Sequence, residues 1–255
     1  MRTALADRKF VPAAIGLGVF VSAIGLVEIL IRAGLINRFI VPMPSQIIGS
    51  FHRVITEEDL LARFQTTAKE CLIATLLLTV VGITIGSALH RFDVLRRATE
   101  TWVAAFASAP IVLMYPLFLV IFGRSSTTII MMAFVAGLPP VILKTIEGLS
   151  GTRRVLIDVG RSFKLSDAQL FWKIMLPAAL PTVFVGLRLG MIFALINIVG
   201  VEFLINFGGL GQLINDLAER YDLPGTYAAI CFVILVSIIF FVVTERIERW
   251  LRPGV

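Results

Sequence analysis

Histidine and cysteine are almost absent from this chain: two of each occur in 255 residues, His52 and His90, Cys71 and Cys231. So few ligating side chains, so far apart, exclude the thiolate and imidazole clusters that hold structural or catalytic metals. Both cysteines fall inside apolar runs, where each is read as a small packed hydrophobe and not as half of a disulfide. Charge is scarce as well, at 16% of residues against 58% apolar. A soluble domain of this length has too little interior for that much apolar surface, whereas a bilayer solvates it. The net charge of +6 comes from loops and ends, and no basic face of the kind that binds nucleic acid is present. No small-residue cleavage site follows the first apolar run, so that run is read as a retained span and not as a signal peptide.

What is present is a series of apolar runs of membrane-crossing length. Hydropathy predicts six spans, roughly Val11 to Ile31, Cys71 to Leu89, Trp102 to Phe122, Thr128 to Ile146, Ala178 to Ile205 and Tyr227 to Val243. About 20 helical residues cross the hydrocarbon, so the sixth is short and the fifth is long enough to tilt or protrude. The third carries Pro110 and Pro116 and is expected to kink. Basic residues set the orientation. With the N-terminus inside, one face carries fifteen: Arg2, Arg8, Lys9, Arg91, Arg96, Arg97, Lys144, Arg153, Arg154, Arg161, Lys164, Lys173, Arg246, Arg249 and Arg252. The other carries seven, namely Arg32, Arg38, Arg53, Arg63, Lys69, Arg124 and Arg220, with Arg188 inside the fifth span. The positive-inside rule then places both termini in the cytoplasm.

The cytoplasmic loop 147–177 is the segment that asks for a partner. Arg153, Arg154, Asp158, Arg161, Lys164, Asp167 and Lys173 cannot sit in hydrocarbon. Ser166 and Gln169 have the spacing of a capping box, and Leu170, Phe171, Ile174 and Met175 follow at helical spacing. Pro177 and Pro181 mark where a new helix starts at the bilayer surface. A basic, amphipathic, helical loop inside a membrane protein is suited to receive a soluble partner. On the other face, 37–68 reads as an extended Pro42-Met43-Pro44-Ser45 turn followed by an interfacial helix with Ile47, Ile48, Phe51 and Val54 on one side. The segment 206–225 reads as a glycine-rich turn and a short helix, Gln212 to Tyr221, closed by Pro224-Gly225. Both are placed to meet an external delivery protein.

Three polar residues inside the spans need a protein or water environment. Glu202 is either a pore or gate residue or a hydrogen-bonded structural carboxylate, and the sequence leaves both open. Glu28 is read as structural. Arg188 is two to three turns beyond the Leu-Pro string, where snorkelling to the interface accounts for it. Gly186 and Gly190 form a small-x-x-x-small pair that permits close helix approach. An enzyme reading finds little: Gly148-Leu149-Ser150-Gly151 resembles an intramembrane protease box, but Ser150 lies in a loop with no histidine expected beside it. No phosphate-cradling loop or His-Glu-x-x-His helix occurs.

Several strings, in order and on the expected elements, resemble one family. They are Val41-Pro42-Met43-Pro44-Ser45, Leu176-Pro177-Ala178-Ala179-Leu180-Pro181, Gly186-Leu187-Arg188-Leu189-Gly190, Glu202 after an apolar run, and Gly209-Leu210-Gly211. Together they resemble the inner-membrane permease subunits of ABC importers of the nitrate/sulfonate/taurine type, over about residues 37 to 250. The family's loop signature is Glu-Ala-Ala, three residues, Gly, nine residues, Ile-x-Leu-Pro. Here Ile174-x-Leu176-Pro177 is intact, the Glu-Ala-Ala positions read Asp158-Val159-Gly160, and the glycine position is Lys164. A glycine there favours a positive φ between two short helices, so Lys164 is expected either to turn at a cost of roughly 1 kcal/mol or to use a different turn. Asp158 is expected near the first turn of the first short helix, with Val159 and Gly160 on the docking face.

The resemblance implies an all-α membrane protein with six transmembrane helices in the type I ABC-importer permease fold. Residues 1–36 would hold the N-terminal end and first span, and 37–255 the permease core. It implies a non-enzymatic subunit without cofactor that forms the translocation pathway as a pair of copies. An ABC ATPase would dock on 147–177 through Asp158, Gly160, Arg161, Ser162, Lys164, Leu165, Ile174, Leu176 and Pro177, and a periplasmic or lipid-anchored binding protein would dock outside. Asn197 and Glu202 are the candidate pathway residues. The competing expectation is an ion-coupled carrier or channel not driven by ATP, which lacks the support of duplicated halves with broken helices.

Overall fold

In hydrocarbon every peptide group must find its partner within the protein, and a helix does this within one segment. A computed structural model describes residues 3–38 and 40–251, and every regular element among them is helical. Arg2 and Arg252, and the side chains of Arg8 and Lys9, counted above for orientation, lie outside what is described. In chain order the helices are α1 (Thr3–Arg32), α2 (Pro44–Glu57), α3 (Leu60–Leu77), α4 (Ile83–Arg91), α5 (Asp93–Ala107) and α6 (Tyr115–Phe122). There follow α7 (Ser126–Ser150), α8 (Arg154–Ser162), α9 (Asp167–Leu170), α10 (Leu176–Ile205), α11 (Gly209–Glu219) and α12 (Leu223–Leu251). A π-helical turn, Leu78–Gly82, joins α3 to α4, and another, Phe171–Met175, joins α9 to α10.

Five segments are long and apolar enough to cross a membrane: Ala14–Arg32, Leu60–Arg91, Ser126–Ser150, Asp167–Ile205 and Leu223–Trp250. A sixth exists if the bent pair Asp93–Ala107 and Ile111–Phe122 counts as one span. The expected kink in the third span is therefore a break, with the two halves bent by 90°. The physical cause is Pro110, which lacks an N–H and sits between α5 and a 3-10 turn at Ile111–Met114. Pro116 does not kink anything; it lies in the first turn of α6, where a missing N–H costs nothing. The fifth span is longer than its apolar core because α9, the π turn and α10 run on without a break.

The chain forms two compact units, Met1–Leu60 with Ile214–Phe232, and Leu61–Leu213 with Val233–Val255. In the larger unit α7 packs along α10. At the crossing a Cβ on Gly137 would lie 2.5 Å from the Gly190 carbonyl oxygen, and one on Gly190 would lie 2.7 Å from the Gly137 carbonyl oxygen. Gly186 faces Lys144 and the Pro140 carbonyl in the same way, so the small-residue pair in the sequence is where two backbones touch. Leu78, Ile129, Met132, Val141 and Ile198 fill the core around this crossing. Arg188 pairs with Glu248 of α12 at 2.9 Å and lies over the Phe241 ring.

In the smaller unit Glu28 of α1 accepts hydrogen bonds from the Ser45 backbone N–H at 3.1 Å and the Ser45 hydroxyl at 2.9 Å, and from Arg32 at 2.7 Å. Ser45 stands in the first turn of α2, whose N–H groups have no partner within the helix. The carboxylate is thus structural, a cap borrowed from another helix.

Candidate functional site

The loop 147–177 folds as two short helices meeting at a sharp turn. Helix α8 ends at Ser162, and Lys164 follows with φ 54, the left-handed conformation of the glycine whose place it takes. Its N–H donates to the Arg161 carbonyl at 2.8 Å, and the Leu165 N–H donates to the Gly160 carbonyl at 3.2 Å. This is the Schellman pattern, closed by a lysine. Ser166 then caps α9, its hydroxyl accepting from the Gln169 N–H at 3.3 Å while the Gln169 side chain accepts from the Ser166 N–H at 3.0 Å. The capping box read from spacing is present in full.

Two expectations about this loop need correction. Asp158 is the fifth residue of α8, so it lies beyond the first turn, where the helix dipole fades; it is exposed and carries no capping role. Gly160 is not on the outer face. It is buried, and a Cβ there would lie 2.6 Å from both Leu170 Cδ1 and Ile174 Cδ1, so the glycine lets α8 settle onto the π turn. Leu165 and Ile174 belong to this inner contact, and Leu176 is half-buried. Arg161, Ser162, Lys164 and Pro177 are exposed.

What the outer face does present is apolar. Val155, Val159 and Phe163 form a stripe at four-residue spacing, with Phe163 77% exposed, and Trp172 is 66% exposed nearby in the chain. The stripe was legible in the period of apolar residues on an otherwise charged helix. The loop covers its inner face and leaves two aromatics that this chain itself does not cover.

Asn197 lines a cavity of about 480 Å³ with the α5–α6 break, among them Ser108, Pro110, Phe193 and Gly200. Its Nδ2 donates to the Phe193 carbonyl at 2.9 Å, and its buried Oδ1 has no partner among the described residues. No charged side chain lines this cavity. A second cavity of about 470 Å³, lined by Phe64, Cys71, Met191 and Phe240, is apolar and has no comparable polar group.

Glu202 lies elsewhere. It is fully buried, accepting from the Thr67 hydroxyl at 2.8 Å and from the Gly211 N–H at 2.8 Å. Thr67 in turn accepts from the Leu210 N–H at 2.9 Å. Gly209, with φ 58, passes so close to the carboxylate that no Cβ fits. The string Gly209-Leu210-Gly211 is therefore wrapped around a buried carboxylate. Only the described geometry reveals this, since Glu202 and Thr67 are far apart in sequence.

His90 also departs from expectation: its Nδ1 lies 3.1 Å from the Ser150 hydroxyl, across the α4–α7 contact. The Arg96 guanidinium donates to the same oxygen at 3.3 Å, so the Ser150 hydroxyl is held between two side chains of neighbouring helices. The pair is a polar clasp, and the absence of a nearby histidine was the wrong ground for setting the serine aside.

These features define a class: a multi-pass helical protein with a bent helix pair, a mostly apolar cavity carrying one unpaired amide oxygen, and a loop of two short helices. The description of a binding-protein-dependent transport system inner membrane component matches residues 78–253, and the chain belongs to that family of ABC-transporter permeases. Such subunits are not enzymes; ATP hydrolysis resides in a separate subunit. The chain is 22% identical to the taurine transport system permease protein TauC of Escherichia coli K12, over 86% of this chain and 82% of that one. It is 26% identical to the aliphatic sulfonates transport permease protein SsuC of Bacillus subtilis 168, described there as putative, over 86% and 77%. In structure it is similar to the MetNI methionine ABC transporter in an inward-facing form, with a TM-score of 0.66 at 20% identity over 76% of this chain and 96% of that one. That likeness is one of fold, the type I importer permease fold.

Proposed function

We propose that two copies of this inner-membrane permease enclose a translocation pathway, with an ABC ATPase docked on each 147–177 loop and a binding protein delivering solute to the opposite face. The exposed stripe Val155, Val159 and Phe163, with Trp172, carries this reading, because it holds large apolar side chains out on an otherwise charged loop. In this arrangement both termini and the loop lie in the cytoplasm, as the distribution of basic residues supports, and 37–255 acts as the permease core. Asp158, Arg161, Ser162, Lys164 and Pro177 frame the ATPase contact from outside. Gly160, Leu165, Ile174 and Leu176 hold the loop's shape from inside.

The mechanical link is the unbroken run from Asp167 through the π turn to Ile205. A partner that pulls on α9 moves α10, and α10 carries Asn197 to the cavity wall. ATP-driven closure of the ATPases would in this way rotate the pathway between outward-open and inward-open states. Asn197 would offer its carbonyl oxygen to a solute's hydrogen-bond donor. Glu202 would act on the pathway only indirectly, by fixing the outer loop.

Reconstitution in proteoliposomes tests the reading. Uptake that requires ATP, a co-assembled ATPase and a binding protein is the expected result; uptake driven by an ion gradient alone would favour the carrier alternative. Phe163→Asp should abolish co-purification of the ATPase while leaving membrane insertion intact. A variant that retains its ATPase removes the stripe from the docking surface. Cysteine at Ser166 should label only from the cytoplasm and at Asp216 only from outside; reversal would overturn the orientation.

A further inference from the structure

Glu70, on α3, is a carboxyl group that nothing so far accounts for. Its residue is 3% exposed, and neither carboxyl oxygen has a donor in hydrogen-bond geometry among the described residues. Against it lie the Glu202 carboxylate of α10 and the Ser126 hydroxyl in the first turn of α7. Two glutamates from different spans are thus buried side by side. Glu202 is the one charged neighbour acting on Glu70 among the described residues. Lys69, next to it in sequence, is exposed, and Arg63, two turns back on α3, does not act on it. Arg124, just ahead of α7, donates instead to the Asn206 carbonyl at the end of α10.

The donors are unevenly shared. Glu202 receives the Thr67 hydroxyl on one carboxyl oxygen and the Gly211 N–H on the other. Glu70 receives none. Two touching carboxyl groups without a counter-charge do not both stay ionised, since the second charge is repelled by the first in a medium that screens little. The charge belongs on Glu202, where two donors meet it, and the proton on Glu70. Protonated, Glu70 has an O–H to give, and the facing Glu202 carboxylate accepts it in a charge-assisted bond. A metal ion suits the place less well. Hard cations gather six or more oxygens, and among the described residues no third acidic, histidine or cysteine side chain joins the pair.

We propose that Glu70 and Glu202 share one proton, carried by Glu70 and donated to Glu202, and that this proton locks α3 to the chain reversal after α10. The reversal already hangs on Glu202. Asn206, Gly208 and Gly209 are all left-handed, and the Phe207 N–H returns to the Glu202 carbonyl at 3.2 Å. Losing the proton would set two charges against each other where α3, α7, α10 and the start of α11 meet. The lock does not rest on the transport reading above.

Infrared spectroscopy of the purified transporter reads the proton directly. At neutral pH wild type should show a protonated-carboxyl C=O band that shifts in heavy water and is lost in Glu70→Gln. No such band in wild type, or one that survives in the variant, overturns the proposal. Glutamine keeps a donor for Glu202 and cannot titrate, so a Glu70→Gln protein that fails to assemble overturns it as well. Folded wild type holds a proton that its unfolded chain has released above the range in which a free glutamate titrates, so its stability falls as pH rises. From neutral to alkaline pH its thermal midpoint should drop relative to Glu70→Gln by a few degrees per pH unit. Amide exchange over 203–213 should become faster in wild type than in the variant at the same pH, with α8 equal in both. A difference between the two proteins that does not change with pH indicates a purely structural glutamate and overturns the lock. Stabilisation of wild type but not of Glu70→Gln by sodium, potassium or calcium at constant ionic strength makes the pair a metal site and overturns it too.

Discussion

The turns at Lys164 and Tyr221 share a backbone and differ in what holds them. Each follows a short helix, each has a non-glycine residue at positive φ, and each closes with the same pair of hydrogen bonds back into the helix. At Lys164 the support is apolar: Gly160 admits Leu170 and Ile174 against α8, and Leu165 joins them. At Tyr221 the support is ionic, through Arg220–Glu58 and Arg53–Asp222. Hydrogen bonding to the partner carboxylates raises the pKa of both guanidiniums above the usual arginine value, so both arginines stay charged. An apolar hinge keeps its geometry when salt changes; an ionic brace does not. The same turn is thus held by packing in one place and by charge in the other.

The largest expected effect comes from filling the apolar hinge. Gly160→Leu should cost about 1–3 kcal/mol by overpacking and separate α8 from the π turn, read as new proteolysis between Arg153 and Lys173 and loss of the bound ATPase. Unchanged proteolysis would show that α8 does not depend on this contact. Next is the cap: Ser166→Ala should cost about 1 kcal/mol, seen as faster hydrogen exchange over α9 with α8 unaffected. The ionic brace should respond less. Arg220→Ala is expected to cost from a few tenths to about 1 kcal/mol, an effect that fades at high salt; a salt-independent loss would mean that packing, not charge, holds the turn. Smallest is Lys164→Gly, expected to stabilise the loop by a few tenths of a kcal/mol, roughly, as the positive φ loses part of its penalty to the added chain freedom of glycine. If it instead weakens ATPase binding at unchanged thermal stability, Lys164 is a docking contact and the lysine is kept for its charge.

Much of this was legible along the chain because helical membrane proteins write their spans as local hydropathy. The six spans, the Ser166–Gln169 cap, the Gly186–Gly190 approach and the left-handed turn at Lys164 each depend on residues within a few positions of one another. The third span was only half legible: Pro110 announced a disturbance, but a 90° break and a mild kink have the same sequence signal. Asp158 and Gly160 were misplaced for a related reason. A one-turn shift in where α8 starts moves Asp158 from the first turn to the second, and which face of α8 is covered depends on how Leu170 and Ile174 fold back onto it, which no local spacing states.

By itself the sequence determined the solvent, the helical class and the existence of a polar helical loop between spans, since transfer free energy and local periodicity act residue by residue. Only the tertiary structure decided which polar groups meet. Glu202 with Thr67 and Gly211, Arg188 with Glu248, His90 with Ser150, and Arg53 with Asp222 are all pairings between distant segments. A buried or braced charge takes whichever partner the packing of helices brings within reach, and that partner is set by the crossing of backbones at glycines such as Gly137 and Gly190, not by any spacing along the chain.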